Sequence, residues 1–383
     1  MDPLTRRDFV GALGSSAAVN WTPSWLLEPR SATGSPGPVV MSGDGINLTP
    51  GEYAALLAQL TNATAIAADS YLLGGEMERF ERRWAEILGK ETAVFMPSGT
   101  LANQLALRAL AGDRRRVIVP EPSHVYNDTG DACQTLSGLT LLPLGSGQPT
   151  FTVAEVEAAL ARTASGRVAT EVGAILIESP IRRLRGQLFD GDEVRRIATV
   201  ARARGIGLHL DGARLFIASA YTGIAPADYA APFDTVYVSL WKYFNCGIGA
   251  ILAGPKRVLD GMYHVRRMFG GNLAHGWPAA VVASHYMDGF VDRLRSAVRG
   301  SEEFFTAIGR HPGLVVERVP GGTNVATLTL AGRNWMAVAP RLLAAGIQIA
   351  AGPGGDRLGV GVNETWRRLD PTELASRFRQ ALG

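Results

Sequence analysis

Cysteine, histidine and charge are all scarce in this chain of 383 residues. Its two cysteines, Cys133 and Cys246, make no disulfide framework. Cys246, four residues past Lys242, reads as a small buried filler rather than a nucleophile. The six histidines are dispersed without metal-ligand spacing, so no metal centre is expected. Charged residues make up 19% of the chain and the formal net charge is +3, with no basic stripe interleaved with aromatics. That pattern excludes nucleic acid as an expected partner. Beyond the N-terminus no apolar run is long enough to cross a bilayer, so no membrane anchoring is expected. What the chain does have is a hydrophobic content of 46%. A chain this long and this apolar suits a well-buried α/β architecture with one large domain and one smaller one.

The first forty residues differ from the rest. Thr5-Arg-Arg-Asp-Phe-Val10 resembles the twin-arginine export signal, in which paired arginines precede a bulky apolar residue. The apolar stretch after it, Val10 to Val19, is too short for a bilayer span. Ser16-Ala-Ala18 is a weak cleavage candidate, and the Pro/Gly/Ser-rich Ser31 to Pro38 reads as linker. Residues 1–40 are therefore expected to be signal and linker. They imply a protein exported through the twin-arginine route to the periplasm, and otherwise a cytoplasmic one.

Along the body, helices are expected over Pro50 to Ala65, Glu76 to Leu88, Leu101 to Leu110 and Asp192 to Arg204. Strands are expected at Thr92 to Met96, Val117 to Val119, Leu139 to Leu144, Ala174 to Ile177, Leu208 to Asp211, Val236 onward and Ala250 to Ala253. This alternation predicts a mostly parallel sheet with helices on both faces over residues 41–305. From 306 to 383 a small α+β domain is expected. Its strands are Asn324 to Leu330, Ile347 to Ile349 and Leu358 to Val362, with a glycine loop at Gly352-Pro-Gly-Gly355. A final helix is capped by Asp370, with Pro371 in its first turn and Glu373 completing a capping box.

The chemistry concentrates at strand ends. In Val236-Tyr-Val-Ser-Leu-Trp-Lys242 an apolar strand delivers a lysine. Burying a cationic amine is costly, and a lysine of depressed pKa can instead condense with an aldehyde as a Schiff base. The aldehyde that proteins most often hold this way is pyridoxal phosphate. In Leu208-His-Leu-Asp211 the leucines take one face and His209 and Asp211 the other. Asp211 then stands at a strand's carboxyl end, fit to pair with a pyridinium nitrogen. Pro97-Ser-Gly-Thr100 joins a strand to a helix N-terminus. Ser98, Gly99 and Thr100 fit a cofactor phosphate there, the alternative being an ordinary cap by Thr100. Ser239 can add a phosphate contact. His124, in the loop after another strand, is placed to stack on a ring and relay protons. Arg214 can meet the phenolic oxygen of the cofactor or a substrate carboxylate. Arg357 is the second candidate carboxylate clamp, because a guanidinium fork matches a carboxylate.

With Pro97-Ser-Gly-Thr-Leu-Ala-Asn103, His124-Val-Tyr126, Glu178, His209-Leu-Asp-Gly-Ala-Arg-Leu215, Ser239-Leu-Trp-Lys242 and Gly247 to Gly254 on the page, the chain resembles the threonine aldolase/β-eliminating lyase family of fold-type I pyridoxal-phosphate enzymes. The resemblance covers roughly residues 40 to 380. It implies a fold-type I large domain with a small C-terminal domain. It also implies a lyase that cleaves the Cα–Cβ bond of a β-hydroxy L-amino acid to glycine and an aldehyde. By the same resemblance, Ser98, Gly99 and Thr100 hold the phosphate, His124 stacks on the ring, Asp211 pairs with its nitrogen and Lys242 is the Schiff-base lysine. Arg214 and Arg357 become carboxylate ligands. Tyr71 matches a tyrosine that reaches toward the site, and a homodimer or homotetramer shares its active sites. The departures are Trp241-Lys242-Tyr243 for Ser-Lys-Gly, Ser42-Gly-Asp44 for Arg-Ser-Asp-Thr, Ala274 for a phosphate-supporting arginine, and Arg182-Arg183 for a Thr-His-Asn-like run. They keep three other expectations open: β-elimination, transamination, and noncatalytic binding of the cofactor or an amino acid.

Overall fold

The computed structural model describes residues 37–350 and 355–383. The twin-arginine motif, the apolar stretch, the cleavage candidate and most of both the linker and the glycine loop lie outside these residues. The first strand of the described residues is β1 (Val39–Val40), followed by β2 (Thr92–Met96), β3 (Arg116–Pro120), β4 (Thr140–Leu144), β5 (Val172–Glu178), β6 (Gly207–Asp211), β7 (Thr235–Ser239) and β8 (Ala250–Gly254). Strands β2 to β8 form one seven-stranded sheet in the order β2-β8-β7-β6-β5-β3-β4. All its pairings are parallel except those that β8 makes with β7 and β2. Inserting β8 in reverse leaves β2 running parallel to β7. The carboxyl ends of β2, β3, β5, β6 and β7 thus emerge on one edge, where an open α/β sheet binds its ligand.

Strict alternation assigns each strand residue to one of two cores. Ile175, Ile177, Leu208, Leu210, Val236 and Val238 face the larger core, which also takes in the Gly75–Ile87, Gly191–Ala203 and Phe290–Ile308 helices. Val117, Val119, Ala174 and Leu176 face the other side, and so do Met96, Tyr237 and Leu252. The Gly99–Ala111 helix covers that second face. Strands β5, β7 and β8 are buried along their whole length, as expected for strands covered on both faces.

Beyond the Phe290–Ile308 helix the small lobe carries β9 (Leu314–Arg318), β10 (Val325–Leu330), β11 (Ile347–Gln348) and β12 (Arg357–Gly361). Its antiparallel sheet runs β12-β10-β9, and β11 pairs instead with β1. Val39 and Val40 are buried in that pairing, although the sequence reads them as the end of a linker. The final helix, Pro371–Leu382, starts at its expected Asp370 cap, which accepts from Thr372 and Glu373. No helix of the described residues is long and apolar enough to cross a membrane.

One aromatic cluster fixes the loop after β7. Trp84, fully buried, meets Phe216 and Phe244 edge-on, each at 5.5 Å between ring centroids. Phe244 lies 4.6 Å from Tyr243, and Tyr243 5.1 Å from Phe290. Residues 243 and 244 follow directly on Lys242, so this cluster anchors the lysine's backbone. Replacing Trp84 by alanine leaves a large void, and Trp84→Ala is expected to cost about 3–5 kcal/mol of stability, read as a lowered denaturant midpoint at unchanged m-value.

Candidate active site

Register puts three polar side chains in one row at the carboxyl edge. Glu178 ends β5 opposite Asp211, which ends β6 opposite Tyr237 of β7. Opposed residues share a face, so all three point toward the Gly99–Ala111 helix. Together with Gly99, Asn103, His124, Arg182, Ala213, Arg214 and Lys242 they line one small cleft.

Asp211, 2% exposed, accepts from Asn103 Nδ2 at 2.6 Å and from the Ala213 amide at 3.1 Å. Asn103 Oδ1 in turn meets His209 Nε2 at 2.9 Å, and His209 Nδ1 meets the Thr235 hydroxyl at 2.8 Å. An amide that donates through nitrogen to a carboxylate offers only its oxygen to the imidazole. The network therefore assigns the hydrogen to Nε2 and makes Nδ1 the acceptor. Burial lowers the His209 pKa to about 4, in keeping with a neutral ring. Donors arranged this way offset the cost of burying a carboxylate.

Glu178 is a strut. Its Oε2 accepts from the His124 amide at 2.6 Å and its Oε1 from the Arg182 amide at 3.1 Å. Burial, with Asp211 alongside, raises its pKa to about 8 against the opposing pull of those amides. His124 begins a one-turn helix capped by Ser123, and burial lowers its pKa, so the imidazole is held neutral.

Lys242 is one of three lysines in the chain. Burial, reinforced by the Arg214 charge, lowers its pKa to about 8. Arg214 is itself neutralised, with Nε and Nη2 both 2.8 Å from Asp44 Oδ2. The other oxygen of Asp44 accepts from Asn324 of the small lobe at 3.0 Å.

Ser98, rather than Thr100, caps the Gly99–Ala111 helix, accepting from Leu101 at 3.3 Å and starting it two residues earlier than the apolar spacing implies. The Gly99 and Thr100 amides are thereby left at the open helix end, where an anion is favoured. Gly99 must be glycine because a β-carbon there would sit 1.9 Å from the Tyr237 hydroxyl. Ser239 ends β7 fully buried; its hydroxyl has no aligned partner, though it is near enough to influence the Tyr237 phenol.

The structure thus brings together Gly99, His124, Asp211, Arg214 and Lys242, with Ser98 and Thr100 at the adjoining helix end. Three other expected residues do not line the cleft: Ser239, fully buried at the end of β7, Arg357 and Tyr71. Arg357 is exposed on an edge strand of the small sheet, ion-paired with Glu317 at 2.8 Å. Tyr71 sits in a turn, half-exposed, with the Arg267 guanidinium over its ring at 5.6 Å. Neither aromatic neighbour of Lys242 lines the cleft: Tyr243 is buried in the aromatic cluster, and Trp241, 53% exposed, lies under the Lys242 amine at 5.9 Å. Asn103, Glu178, Arg182 and Tyr237 line the cleft without having been singled out for roles, and Asp44 supports it from behind Arg214. Asn103 and Glu178 stood inside recognisable motifs, Asp44 and Arg182 inside departures from them. Tyr237, one strand residue among several, gave no signal.

A family model described as β-eliminating lyase matches residues 54–331. The low-specificity L-threonine aldolase of Candida albicans is 30% identical over 219 residues, which cover 56% of this chain and 58% of that enzyme's own length. The aldolase vrtJ of Penicillium aethiopicum is 29% identical over 282 residues, covering 71% of this chain and 70% of that one. Among solved structures, a candidate L-allo-threonine aldolase from Listeria monocytogenes EGD-E superposes with a TM-score of 0.75 at 26% identity, over 91% of this chain and 96% of that one.

The lysine is the most direct test of this electrostatic picture. A folded pKa of about 8 means a charged amine below that pH and a neutral, nucleophilic one above it. In the ligand-free protein, acylation of Lys242 by an amine-selective reagent, followed by peptide mapping, is expected to rise roughly fivefold from pH 7 to pH 8 and to level off above about pH 9. An ordinary lysine with a pKa near ~10.4 keeps rising through that range.

Proposed function

The chain belongs to the β-eliminating lyase family, and from that premise we propose that it is a pyridoxal-phosphate-dependent lyase that cleaves the Cα–Cβ bond of a β-hydroxy L-amino acid into glycine and an aldehyde. The mixed seven-stranded sheet with its small C-terminal lobe is fold type I of the pyridoxal-phosphate enzymes. One observation carries the reading: a lysine of lowered pKa and a buried, hydrogen-bonded carboxylate line one small cleft at the open end of a helix.

The residues present fit the cofactor. Lys242 supplies an amine for its aldehyde, and Asp211 a buried counter-ion for its ring nitrogen. The Gly99 and Thr100 amides, with Ser98, suit its phosphate, and the buried Ser239 hydroxyl is a donor without an aligned partner. When bound, pyridoxal phosphate supplies an electron sink for the carbanion left when a bond to Cα breaks.

The chain's own groups do the rest. Asp211 holds negative charge at the cleft floor, kept in place by Asn103 and the Ala213 amide. Arg214, fixed by Asp44, keeps an N–H edge for the substrate carboxylate, and orientation of the scissile bond follows from where that carboxylate is gripped. His124, neutral and tethered through its own amide to Glu178, accepts the β-hydroxyl proton as the bond cleaves. Lys242, near its midpoint at neutral pH, moves a proton at Cα. The aldolase relatives favour this carbon–carbon cleavage over β-elimination, transamination or noncatalytic binding.

Two further readings belong to the same proposal. The protein forms a homodimer or homotetramer through the face that exposes Tyr71 (50%), Leu73 (53%) and Met268 (71%), bringing Tyr71 toward a neighbouring site. Its paired Arg6-Arg7 directs export through the twin-arginine route. Light scattering is expected to give a multiple of the 40.7 kDa chain mass. In cell fractionation, Arg6→Lys combined with Arg7→Lys is expected to retain the protein in the cytoplasm. A monomer, or unchanged fractionation, overturns the respective reading.

Activity is tested with L-threonine, L-allo-threonine and phenylserine, measuring glycine and aldehyde. Glycine release is expected from at least one. Lys242→Ala is expected to abolish it, and His124→Phe to lower kcat by about 10²–10⁴-fold, the usual contribution of a positioned acid–base group. No glycine from any β-hydroxy amino acid overturns the aldolase reading.

A further inference from the structure

The cleft holds one cation for which the reaction above finds no use. Arg182 lines it beside His124, and the two are neighbours by construction, because their backbone amides share the two oxygens of Glu178. Its guanidinium is 58% exposed. Among the described residues its ion-pair partner is Asp128, at 3.5 Å. Asp128 is already gripped by both Nε and Nη2 of Arg183, at 3.3 and 2.6 Å. Two guanidiniums on one carboxylate leave one positive charge in excess, and Arg182, the looser of the two, is the one that reaches the cleft. Arg214 differs in being neutralised by Asp44.

The two arginines also serve different parts of the cleft. Arg214 shares its surroundings with Lys242 and Asp44, whereas the charge of Arg182 is felt at His124, the group that takes the β-hydroxyl proton. A substrate held at its α-carboxylate by Arg214 and at its β-hydroxyl by His124 points the remainder of its side chain toward Arg182. A guanidinium there whose carboxylate partner is shared with Arg183 matches a further carboxylate and gives a methyl group nothing.

Resting on the lyase reading above, we propose that Arg182 is a specificity residue that selects β-hydroxy amino acids whose β-carbon carries a carboxylate. 3-Hydroxyaspartate is the simplest member of that class. The chemistry balances without a co-reactant. The Cα–Cβ bond breaks, the β-hydroxyl proton leaves to His124, Cα gains a proton, and the products are glycine and the oxo-acid glyoxylate.

The test compares kcat/KM of the holoenzyme for the 3-hydroxy-L-aspartate and L-threonine diastereomers, in wild type, Arg182→Met, Arg182→Lys and the control Arg195→Met, an exposed arginine that does not line the cleft. Wild type is expected to prefer hydroxyaspartate. Arg182→Met is expected to lower kcat/KM for it about 10–100-fold, the range of a charge-assisted hydrogen bond, mainly through KM. Threonine is expected to change less than about threefold, with Arg182→Lys intermediate and Arg195→Met near wild type. Equal losses on both substrates, or a wild type that prefers threonine, overturn the proposal. Equilibrium titration with L-aspartate and L-alanine, followed by the visible absorbance of the cofactor, keeps the two readings apart. If no substrate yields glycine, the lyase reading fails. The anion preference then still stands if aspartate binds more tightly than alanine in wild type and loses that advantage in Arg182→Met, and it falls if aspartate shows no advantage.

Discussion

A carboxylate buried at the end of an inner strand sets the terms for everything around it. Asp211 is stable in that position because an amide side chain from the covering helix and a backbone amide from its own turn both donate to it. Asn103 can donate only because His209 and Thr235 hold its other end. The relay spans β6, β7 and the Gly99–Ala111 helix, so the chemistry of the cleft and the packing of the second core are one arrangement. Its members are fully connected, the condition under which a buried polar network rigidifies a fold rather than weakening it.

The second carboxylate of the row takes a different part because its partners differ. Glu178 receives two backbone amides from separate loops and stands next to Asp211, so its pKa rises to about 8 and it spans the distance between those loops. Burial and the neighbouring Asp211 act on Glu178, and the different partners of the two acids divide the labour between them. One faces the site as a counter-ion, while the other sets where His124 and Arg182 stand. Tyr237, third in the row, fills the space that Gly99 leaves by having no side chain.

Much of this was legible in the sequence. The β-periodicity of Leu208 to Asp211 put His209 and Asp211 on one face, and the two faces of β6 do go to different surroundings. The strand-turn-helix at Pro97 to Thr100 announced an open helix end, although local spacing did not distinguish Ser98 from Thr100 as the cap. What stayed hidden depends on register and on contacts distant in the chain. That Glu178 lies opposite Asp211, and Asp211 opposite Tyr237, follows from strand pairing alone. That Asp44 neutralises Arg214 follows from a contact 170 residues apart in the chain. Arg357 looked like a clamp because it follows a glycine loop, yet its strand pairing sets it beside Glu317. Trp241 and Tyr243 flank Lys242 in the sequence, but one is half-exposed beneath the amine and the other joins the aromatic cluster.

The pairing of β1 with β11 has a temporal consequence. Val40 is bonded through its amide to Thr365 and through its carbonyl to Asn363, and Asp44 to Asn324. The stretch that a ribosome makes early therefore finds its partners only when the end of the chain emerges. Until then Asp44, the partner of Arg214, lacks its second contact, Asn324, and contacts of such long separation close late. Birth order and completion order are thus reversed at this seam between the two lobes.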